Sequence, residues 1–326
     1  MTLRRRRLLR VAAAAPLLQA LSYAARAQAY PTRPVRVIVP FPPGGPTNLV
    51  ARLITQRLTE QLGKPFIVEN IGGAGGNIGM GRAARSAPDG YTLLVTGPNL
   101  VVNPSLYDQS LYDPERDFAA VTMAMTAPTA LTVHPSLPAR TVEELVALIR
   151  AEPGRYSYAS PGVGTPAHLV GELFRLSLRL DLVHAPFASG GLAVTATLAG
   201  HTPISFSAVP VAVPYVRDGR LRALAITSPK RASAVPDIAT MAELGHPDIA
   251  ADIWTAVLAP SGTPDWIIAR LQSEISDLLR MPETQSQLSA QGYDPVGNTP
   301  VECAAQLREE ASKWTRVIRE AGIRAQ

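Results

Sequence analysis

The sequence predicts an α/β protein built of two doubly wound lobes. Short runs rich in β-branched residues alternate with segments of helical periodicity, which is typical of α/β folds with parallel sheets. Residues 30–326 form a stretch of 297 residues, which is large for a single hydrophobic core. Glycine-rich turns also recur where a predicted strand ends and a helix begins.

The first 29 residues have the pattern of an export signal. Arg4–Arg7 and Arg10 form a basic start, and Val11–Leu21 is a weakly apolar run too short to cross a bilayer. Ala27–Ala29 supplies small residues for signal peptidase, so Tyr30 is expected to be the first mature residue.

Two points of this signal stay open. Arg5–Arg10 also fits a twin-arginine export pattern, and an ordinary secretory signal with extra arginines explains it equally well. Ala25–Ala27 is a second candidate for the cleavage site. Either export route ends outside the cytoplasm, and we expect the protein in the periplasm.

The basic charge of the chain belongs largely to this signal. Six of the 31 Lys and Arg residues lie in residues 1–29, which contain no acid, so residues 30–326 carry 25 basic against 26 acidic residues. A net charge of −1 gives no support for nucleic-acid binding. The single cysteine, Cys303, excludes an intramolecular disulfide and is expected in the core of a helical segment.

Eight strands follow from the β-branched runs. They are predicted at Val35–Val39, Phe66–Glu69, Thr92–Thr96, Ala130–Val133, Arg155–Ala159, Leu182–His184, Ile204–Phe206 and Arg222–Thr227.

Capping residues predict where the helices begin. Asn48 is expected to cap a helix over Leu49–Leu62 that stops at Gly63. Capping boxes are expected at Thr141 with Glu144, before Val142–Ala151, and at Thr240 with Glu243. The pairs Thr263-Pro264 and Thr299-Pro300 open two long closing helices, to about Arg280 and to Ala321.

Two segments are predicted to cross between the lobes. The first crossing is expected at Pro114–Pro128, a stretch that follows the third strand and begins and ends with proline. The second is expected around Asp252–Pro260. Lobe one then comprises residues 30–126 and 253–326, and lobe two residues 127–252. Two crossings make a hinge, so closure on a ligand is the expected motion.

Signatures of enzymes are missing from the sequence. It contains no Gly-x-Ser-x-Gly, no His-Glu-x-x-His and no Walker A motif, and no three glycines in the run from Gly72 to Gly81 have the dinucleotide-binding spacing. The five histidines lack metal-ligand spacing, and for His168 with Glu172 a local hydrogen bond is expected rather than a metal pair. We expect no catalytic residues, no metal and no cofactor.

Four glycine-rich turns instead suggest anion binding. They are Phe41–Asn48, Gly72–Asn77, Ser160–Pro166 and Phe187–Gly191. Each lies at the carboxyl end of a predicted strand, where open α/β sheets bind ligands, and each precedes a helix whose first amides favour an anion. Any one such turn is equally a way for the chain to change direction, so the inference rests on their number in both lobes.

The same segments resemble the Bug family, the periplasmic substrate-binding components of tripartite tricarboxylate transporters. The resemblance covers nearly all of residues 30–326. Its marks include Tyr30-Pro31-x-Arg33-Pro34, Val39–Gly45, Val68–Asn70, Gly73–Gly79, Pro88–Leu93, Ser157–Ser160, Gly164–Leu169, Leu221–Ala225, Trp254 and Ala259–Pro264.

This resemblance implies a type II periplasmic binding protein whose cleft holds a small organic carboxylate. Backbone amides and ordered waters of the first two loops would hold one ligand carboxylate, and the rest of the ligand would face lobe two. The candidate ligand-binding residues are Phe41, Pro43, Gly44, Gly45, Asn48, Gly75, Gly76 and Asn77 in lobe one, and Ser160, Gly164, Thr165, His168, Phe187, Ser189 and Ser207 in lobe two.

Several positions depart from the family pattern. Asn48 and Ser207 stand where Asp is common, Phe187–Gly190 replaces a common Tyr-Lys-Gly run, and Ala196 and Pro203 replace frequent acids. Lobe two is therefore less charged than in the family pattern. We expect a ligand whose distal half is weakly polar or aromatic.

The sequence is compatible with three functions. The first is a monomeric periplasmic receptor that delivers a carboxylate to membrane transporter subunits. The second is a sensor that presents its loaded form to a membrane histidine kinase, and the sequence does not separate it from the first. The third is a secreted enzyme on this fold, with His168 as the only candidate base, which the missing catalytic motifs disfavour.

Overall fold

A computed structural model describes residues 30–324, and the predicted export signal lies outside the described residues. Its strands are β1 Val35–Val39, β2 Phe66–Asn70, β3 Thr92–Thr96, β4 Phe118–Val133, β5 Ser157–Ser160, β6 Val183–Pro186, β7 Ile204–Ala208, β8 Arg222–Ile226, β9 Asp252–Pro260 and β10 Asp294–Pro295. Its α-helices are α1 Pro46–Leu62, α2 Asn77–Ala84, α3 Asn99–Leu106, α4 Val142–Ala151, α5 Pro166–Ser177, α6 Gly190–Leu198, α7 Val209–Arg217, α8 Asp265–Arg280, α9 Pro282–Ala290 and α10 Pro300–Ala321.

The strands form one continuous sheet with two halves. Their order is β2-β1-β3-β9-β4-β7-β5-β6, and β8 and β10 also pair with β4. In the first half β1 runs parallel to β2 and β3, and in the second β5 runs parallel to β6 and β7. The strands between them, β4 and β9, run antiparallel to their neighbours.

The segments of the two predicted crossings contain most of strand β4 and all of strand β9. β4 and β9 pair with each other from Phe118 with Pro260 to Pro128 with Asp252. From Thr129 onward β4 pairs instead with β7 and β8. The expected α/β class with parallel strands is confirmed in each half, and the long buried strand β4 belongs to both halves and joins them antiparallel.

Most of the predicted strand bounds hold to within two residues, and those of β1 and β3 agree fully. The exception is Ala130–Val133, which is the last quarter of β4. The predicted strand began only after Pro128, whereas Pro128 lies within β4, at the point where the strand changes partners.

The predicted helix caps are partly corrected. Helix α1 begins at Pro46 after Gly45, so Asn48 is not its cap, while Gly63 ends it in a left-handed conformation as predicted. Thr299 and Glu302 form a full capping box at α10. Thr240 and Glu243 exchange the same two hydrogen bonds, but they close a turn and no helix follows.

At α4 the predicted box is incomplete. Thr141 Oγ1 accepts the amide of Glu144, but the Glu144 carboxylate accepts the amide of Arg140 instead of that of Thr141. The other closing helix, α8, starts at Asp265, directly after the predicted Pro264.

Helix α10 packs across the junction of the two sheet halves. Glu310 accepts indole N–H bonds from Trp254 of β9, at 3.1 Å, and from Trp314, at 2.8 Å. Cys303 on the same helix is fully buried, as predicted, and burial raises the pKa of its thiol to about 12. Among residues 30–324, no helix combines the length and the apolar character needed to cross a membrane.

Tyr30, the first described residue, is anchored in the fold. Tyr30 is only 5% exposed, and its hydroxyl donates to the Gly90 carbonyl at 2.6 Å. Its ring meets the edges of Tyr91 and Trp266 at centroid distances of 5.4 and 6.0 Å. The segment that follows the predicted cleavage site thus packs into the first half of the sheet.

Truncation of this anchor tests its contribution to stability. In the chain that begins at Tyr30, Tyr30→Ala should lower the free energy of unfolding by about 3–5 kcal/mol, because it empties a buried aromatic site. Tyr30→Phe should cost about 1–3 kcal/mol, because the Gly90 carbonyl loses its donor. Urea denaturation measures both, and wild-type stability of both variants would mean that the anchor is not part of the cooperative unit.

Candidate ligand-binding cleft

The carboxyl ends of both parallel strand sets converge on the β4–β9 crossing. Thr96, at the end of β3, pairs with Ala256 of β9, four residues from the Asp252 end. Ala208, at the end of β7, pairs with Thr129 of β4, next to the residue that faces Asp252. The glycine-rich turns follow β1, β2, β5 and β6, which belong to the same parallel sets. They therefore lie at the carboxyl edge of each set, where such sheets bind ligands.

The first turn presents backbone donors. Phe41 is half-buried, and the prolines that follow it carry no N–H. Within residues 30–324, the amides of Gly44 and Gly45 find no protein acceptor. Helix α1 begins directly behind them, so its positive end adds to a field that favours an anion.

Asn48 supports this turn from behind. It is only 4% exposed, and its amide nitrogen donates to Asn70 Oδ1 at 3.2 Å while its Oδ1 accepts from Arg52 Nε at 3.0 Å. Asn70 in turn donates to the Phe41 carbonyl at 2.8 Å. Both polar atoms of Asn48 thus have protein partners, and Asn70, which was not among the predicted site residues, holds the loop.

The second turn is a left-handed loop. Gly73, Ala74, Gly75 and Gly76 have successive φ values of 123°, 46°, 61° and 97°. The amides of Gly76 and Asn77 close this turn on the carbonyls of Gly73 and Ala74. Those of Ala74 and Gly75 find no acceptor within residues 30–324 and suit an anion. Ala74 is the only residue of the four with a side chain, and a left-handed conformation costs a non-glycine residue roughly 1–2 kcal/mol.

The two turns pack directly against each other. A Cβ at residue 76 would lie 3.3 Å from both Phe41 Cε1 and the Pro40 carbonyl oxygen. A Cβ at residue 79 would lie 2.4 Å from the Ile71 carbonyl oxygen and 2.9 Å from Pro40 Cα. Glycine at both positions lets the two predicted carboxylate-binding loops form one surface.

The polar side chains predicted for lobe two are largely engaged by the protein. Thr165 Oγ1 and Ser189 Oγ accept the amides of His168 and Leu192 as helix caps. Ser160 Oγ lies 2.6 Å from His184 Nε2. The Gly164 amide donates to His168 Nδ1 at 3.0 Å, so a neutral His168 carries its proton on Nε2.

The hydrogen bond expected between His168 and Glu172 is wrong. Glu172 accepts instead from the Tyr158 hydroxyl at 2.7 Å and pairs with Arg175 at 2.7 Å. The carboxylate therefore faces the strands and its own helix rather than the histidine.

His168 and His184 form a stacked pair with neutral rings. Their centroids are 3.8 Å apart and their planes differ by 20°. Burial, the neighbouring His184 and Arg175 lower the pKa of His168 to about 3. Burial, opposed by Glu172, lowers the pKa of His184 to about 4. The second wall of the cleft thus carries no histidine charge at neutral pH.

Ser207 differs from the other predicted serines. It is fully buried at the carboxyl end of β7, and its hydroxyl has no partner within the described chain. A buried hydroxyl without a partner costs free energy, so a ligand or a bound water is its natural complement. Phe187, in the turn after β6, is half-buried and supplies an aromatic surface.

Three further residues of the candidate site were not predicted from the sequence. Asn103 supports the second turn, Tyr107 lies against Gly75, and His184 stacks on His168. None lies in a glycine-rich turn, which is the pattern on which the predicted site was based. In residues 30–324 no three His, Cys, Asp or Glu residues are grouped to hold a metal ion.

Comparison with known proteins gives consistent matches along most of the chain. The profile of the family described as "Tripartite tricarboxylate transporter family receptor" matches residues 50–323. Protein BugT of Bordetella pertussis is 38% identical over 300 residues, which cover 91% of this chain and 92% of BugT.

Solved structures agree with this result. A Rhodopseudomonas palustris protein solved with adipate is 31% identical, with a TM-score of 0.75, and covers 90% of this chain and 99% of its own. MatC of the same organism, solved with bound malate, is 32% identical, with a TM-score of 0.72 and coverages of 89% and 100%. Matches at this identity show a shared fold, that of the two-lobed periplasmic binding proteins.

The strained turn predicts an unusual pair of substitutions. Ala74→Gly should leave the free energy of unfolding unchanged or slightly higher, because relief of left-handed strain offsets the added freedom of the unfolded chain. Ala147→Gly, in the exposed middle of α4, is the matched control and should cost about 1 kcal/mol. Equal losses in urea denaturation would show that Ala74 is not strained.

The histidine pair predicts a pH dependence of stability. Because both folded pKa values lie below the usual 6.5, the unfolded chain binds more protons at mildly acidic pH, and stability is lost as pH falls from 6.5 toward 4. His168→Asn keeps an acceptor for the Gly164 amide. It should reduce the slope of the unfolding free energy against pH by about 1.4 kcal/mol per pH unit.

Comparison with wild type is needed because burial raises the pKa of Asp252 to about 7, which acts in the opposite sense over the same range. Urea denaturation at pH 5, 6 and 7 gives the slopes. Parallel curves for wild type and His168→Asn would contradict a buried neutral ring at His168.

Proposed function

The chain belongs to the tripartite tricarboxylate transporter receptor family, and from this premise we propose that it captures a small organic carboxylate and delivers it to a membrane transporter of that kind. The observation that carries the proposal is the joint surface of the first two turns. It offers unpaired backbone amides and two helix N-termini without a lysine or arginine among its residues. The related structures with adipate and malate support a carboxylate as the ligand class.

The proposed location is the periplasm. The family match and the predicted signal in residues 1–29 support it. We further propose that the receptor acts as a monomer, with the membrane subunits of the transporter as its protein partners.

Closure of the lobes is the proposed motion. We place lobe one at residues 30–126 and 253–326 and lobe two at residues 127–252. The change of partners in β4 between Pro128 and Thr129, opposite Asp252, supports a hinge at these limits. Bending there would change the distance between the two groups of turns while each half of the sheet keeps its own pairing.

The proposed ligand has one carboxylate and a weakly polar or aromatic distal half. In the second half of the cleft the histidines are neutral, the serine and threonine caps are engaged, and Glu172 is paired with Arg175. A second carboxylate would find no charged partner among these residues. Phe187 and the free hydroxyl of Ser207 suit an aromatic ring that bears at most one weak acceptor.

The proposed role is binding without turnover. Ser160 and His184 are close enough for a nucleophile and base, but among the described residues no carboxylate bonds to His184. Without an orienting acid, and with its pKa lowered to about 4, His184 is a weak base.

A ligand screen tests the proposed class. Aromatic monocarboxylates should raise the melting temperature of the chain from residue 30, because the ligand binds only the folded state. Citrate and glutamate should have much smaller effects, because lobe two lacks a cation for a second carboxylate. Strong stabilisation by citrate or glutamate, with none from aromatic monocarboxylates, would contradict the assignment, and calorimetric titration would give the affinities.

Ser207 provides a sharper test within the site. Ser207→Ala should leave the melting temperature equal or higher, because it removes an unpaired buried hydroxyl, and should weaken ligand binding about tenfold. The matched control is Ser205→Ala, which breaks the 2.7 Å bond to Thr132 and should lower stability without changing affinity. Unchanged affinity in Ser207→Ala would show that the hydroxyl does not face the ligand.

A further inference from the structure

Helix α3 lies directly behind the second glycine-rich turn. Asn103, which is 1% exposed, donates from Nδ2 to the Gly75 carbonyl at 3.0 Å and to Asn77 Oδ1 at 3.2 Å. The Gly75 carbonyl is thus held by α3, while the amides of Ala74 and Gly75 find no acceptor within residues 30–324. Any rearrangement of the turn on binding acts on this helix through Asn103.

The last turn of the same helix touches one glycine in each half of the fold. The Tyr107 hydroxyl lies 2.9 Å from the position that a Cβ at residue 75 would occupy. Leu106 Cδ1 lies 2.5 Å from the position of a Cβ at residue 164, in the turn between β5 and α5. A side chain at either position would therefore collide with α3.

Gly164 is held on its other side by the second wall of the cleft. Its amide donates to His168 Nδ1, and His168 stacks on His184, which contacts Ser160. A chain of direct contacts thus runs from the second turn through Asn103 and Leu106 to the β5–α5 turn. It joins the two groups of candidate ligand-binding residues outside the cleft itself.

We propose that Leu106 and Gly164 form a closure contact, in which Leu106 packs into the space left by the missing side chain and so favours the closed arrangement of the lobes. This role rests on the proposed function, since closure is useful only to a protein that traps a ligand. Leu106 is a positioning residue that acts through Gly164. Gly164 contributes a surface for Leu106, in addition to any contact with the ligand.

A purely structural contact is the competing explanation. Helix α3 is also fixed to α10, where Ser105 Oγ lies 2.9 Å from Thr315 Oγ1, so it would stay in place without Leu106. In that case truncation of Leu106 would change the stability of the protein but not its ligand affinity. The two explanations differ in which measured quantity depends on the pair.

A double-mutant cycle separates them. Leu106→Ala should weaken binding of the best carboxylate from the screen about tenfold, and Gly164→Ala should weaken it further because the new Cβ meets Leu106. The left-handed backbone at Gly164, with φ of 73°, strains an alanine in both backgrounds and so cancels in the cycle. In the Leu106→Ala background the Gly164→Ala substitution should cost at least tenfold less affinity, because the collision is gone. Val301→Ala, at an exposed position in the first turn of α10, is the control and should leave affinity unchanged. Wild-type affinities in all variants, with coupling only in the melting temperature, would overturn the proposal.

A distance measurement tests the contact without a ligand. Spin labels on Gln61→Cys in α1 and Ala147→Cys in α4 report the separation of the lobes, and the native Cys303 is buried with a raised thiol pKa and should not react. Gly164→Ala should shift the distances toward longer values, and addition of Leu106→Ala should reverse most of that shift. Identical distributions in all four chains would overturn the closure contact. If wild type binds no carboxylate, the proposed function fails, and the distances still decide the role of Leu106.

Discussion

The backbone pairing of β4 with β9 is the interaction on which the rest of the structure depends. Nine residue pairs join the two strands, from Phe118 with Pro260 to Pro128 with Asp252. Because β4 continues beyond Pro128 as the partner of β7 and β8, one strand carries both halves of the sheet. The convergence of the two sets of carboxyl ends follows from this geometry.

Helix α10 reinforces this crossing from one side. Lys313 donates to the carbonyl of Ala250, just before β9 begins, and pairs with Glu310, which holds the indole groups of Trp254 and Trp314. Glu310 is buried, but three donors satisfy its oxygens, so its charge is tolerated there. Helix α10 thus fixes the chain at the start of β9, opposite the point where β4 changes partners.

The sequence predicted local elements better than their assembly. β-branched runs predicted the bounds of β1 and β3, and Thr299 followed by Pro300 predicted the start of α10, because these signals depend only on neighbouring residues. The role of Pro114–Pro128 could not be recognised in the same way. Proline normally argues against a central strand, and only the change of partners at Pro128 makes it acceptable there.

The same distinction applies to the site. The first two glycine-rich turns of the predicted site do pack against each other, but the turn pattern does not predict which side chains are free to meet a ligand. Asn48, Thr165 and Ser189 are polar residues of those turns, and each proves to have partners within the protein. Asn103 and His184 were missed because their contacts join segments far apart in sequence, such as Asn103 with Gly75 and His184 with His168.

A cleft built in this way would obtain its affinity from geometry more than from charge. Backbone amides fixed by Asn48, Asn70 and Asn103 need no reorganisation when an anion arrives, and no buried cation has to lose its water. The neutral pair of His168 and His184 adds no charge on the opposite wall. Each such contact is individually modest, so tight binding requires that both walls engage the ligand together. The free energy of closure, to which contacts such as that of Leu106 with Gly164 contribute, then sets affinity and release as much as the ligand contacts do.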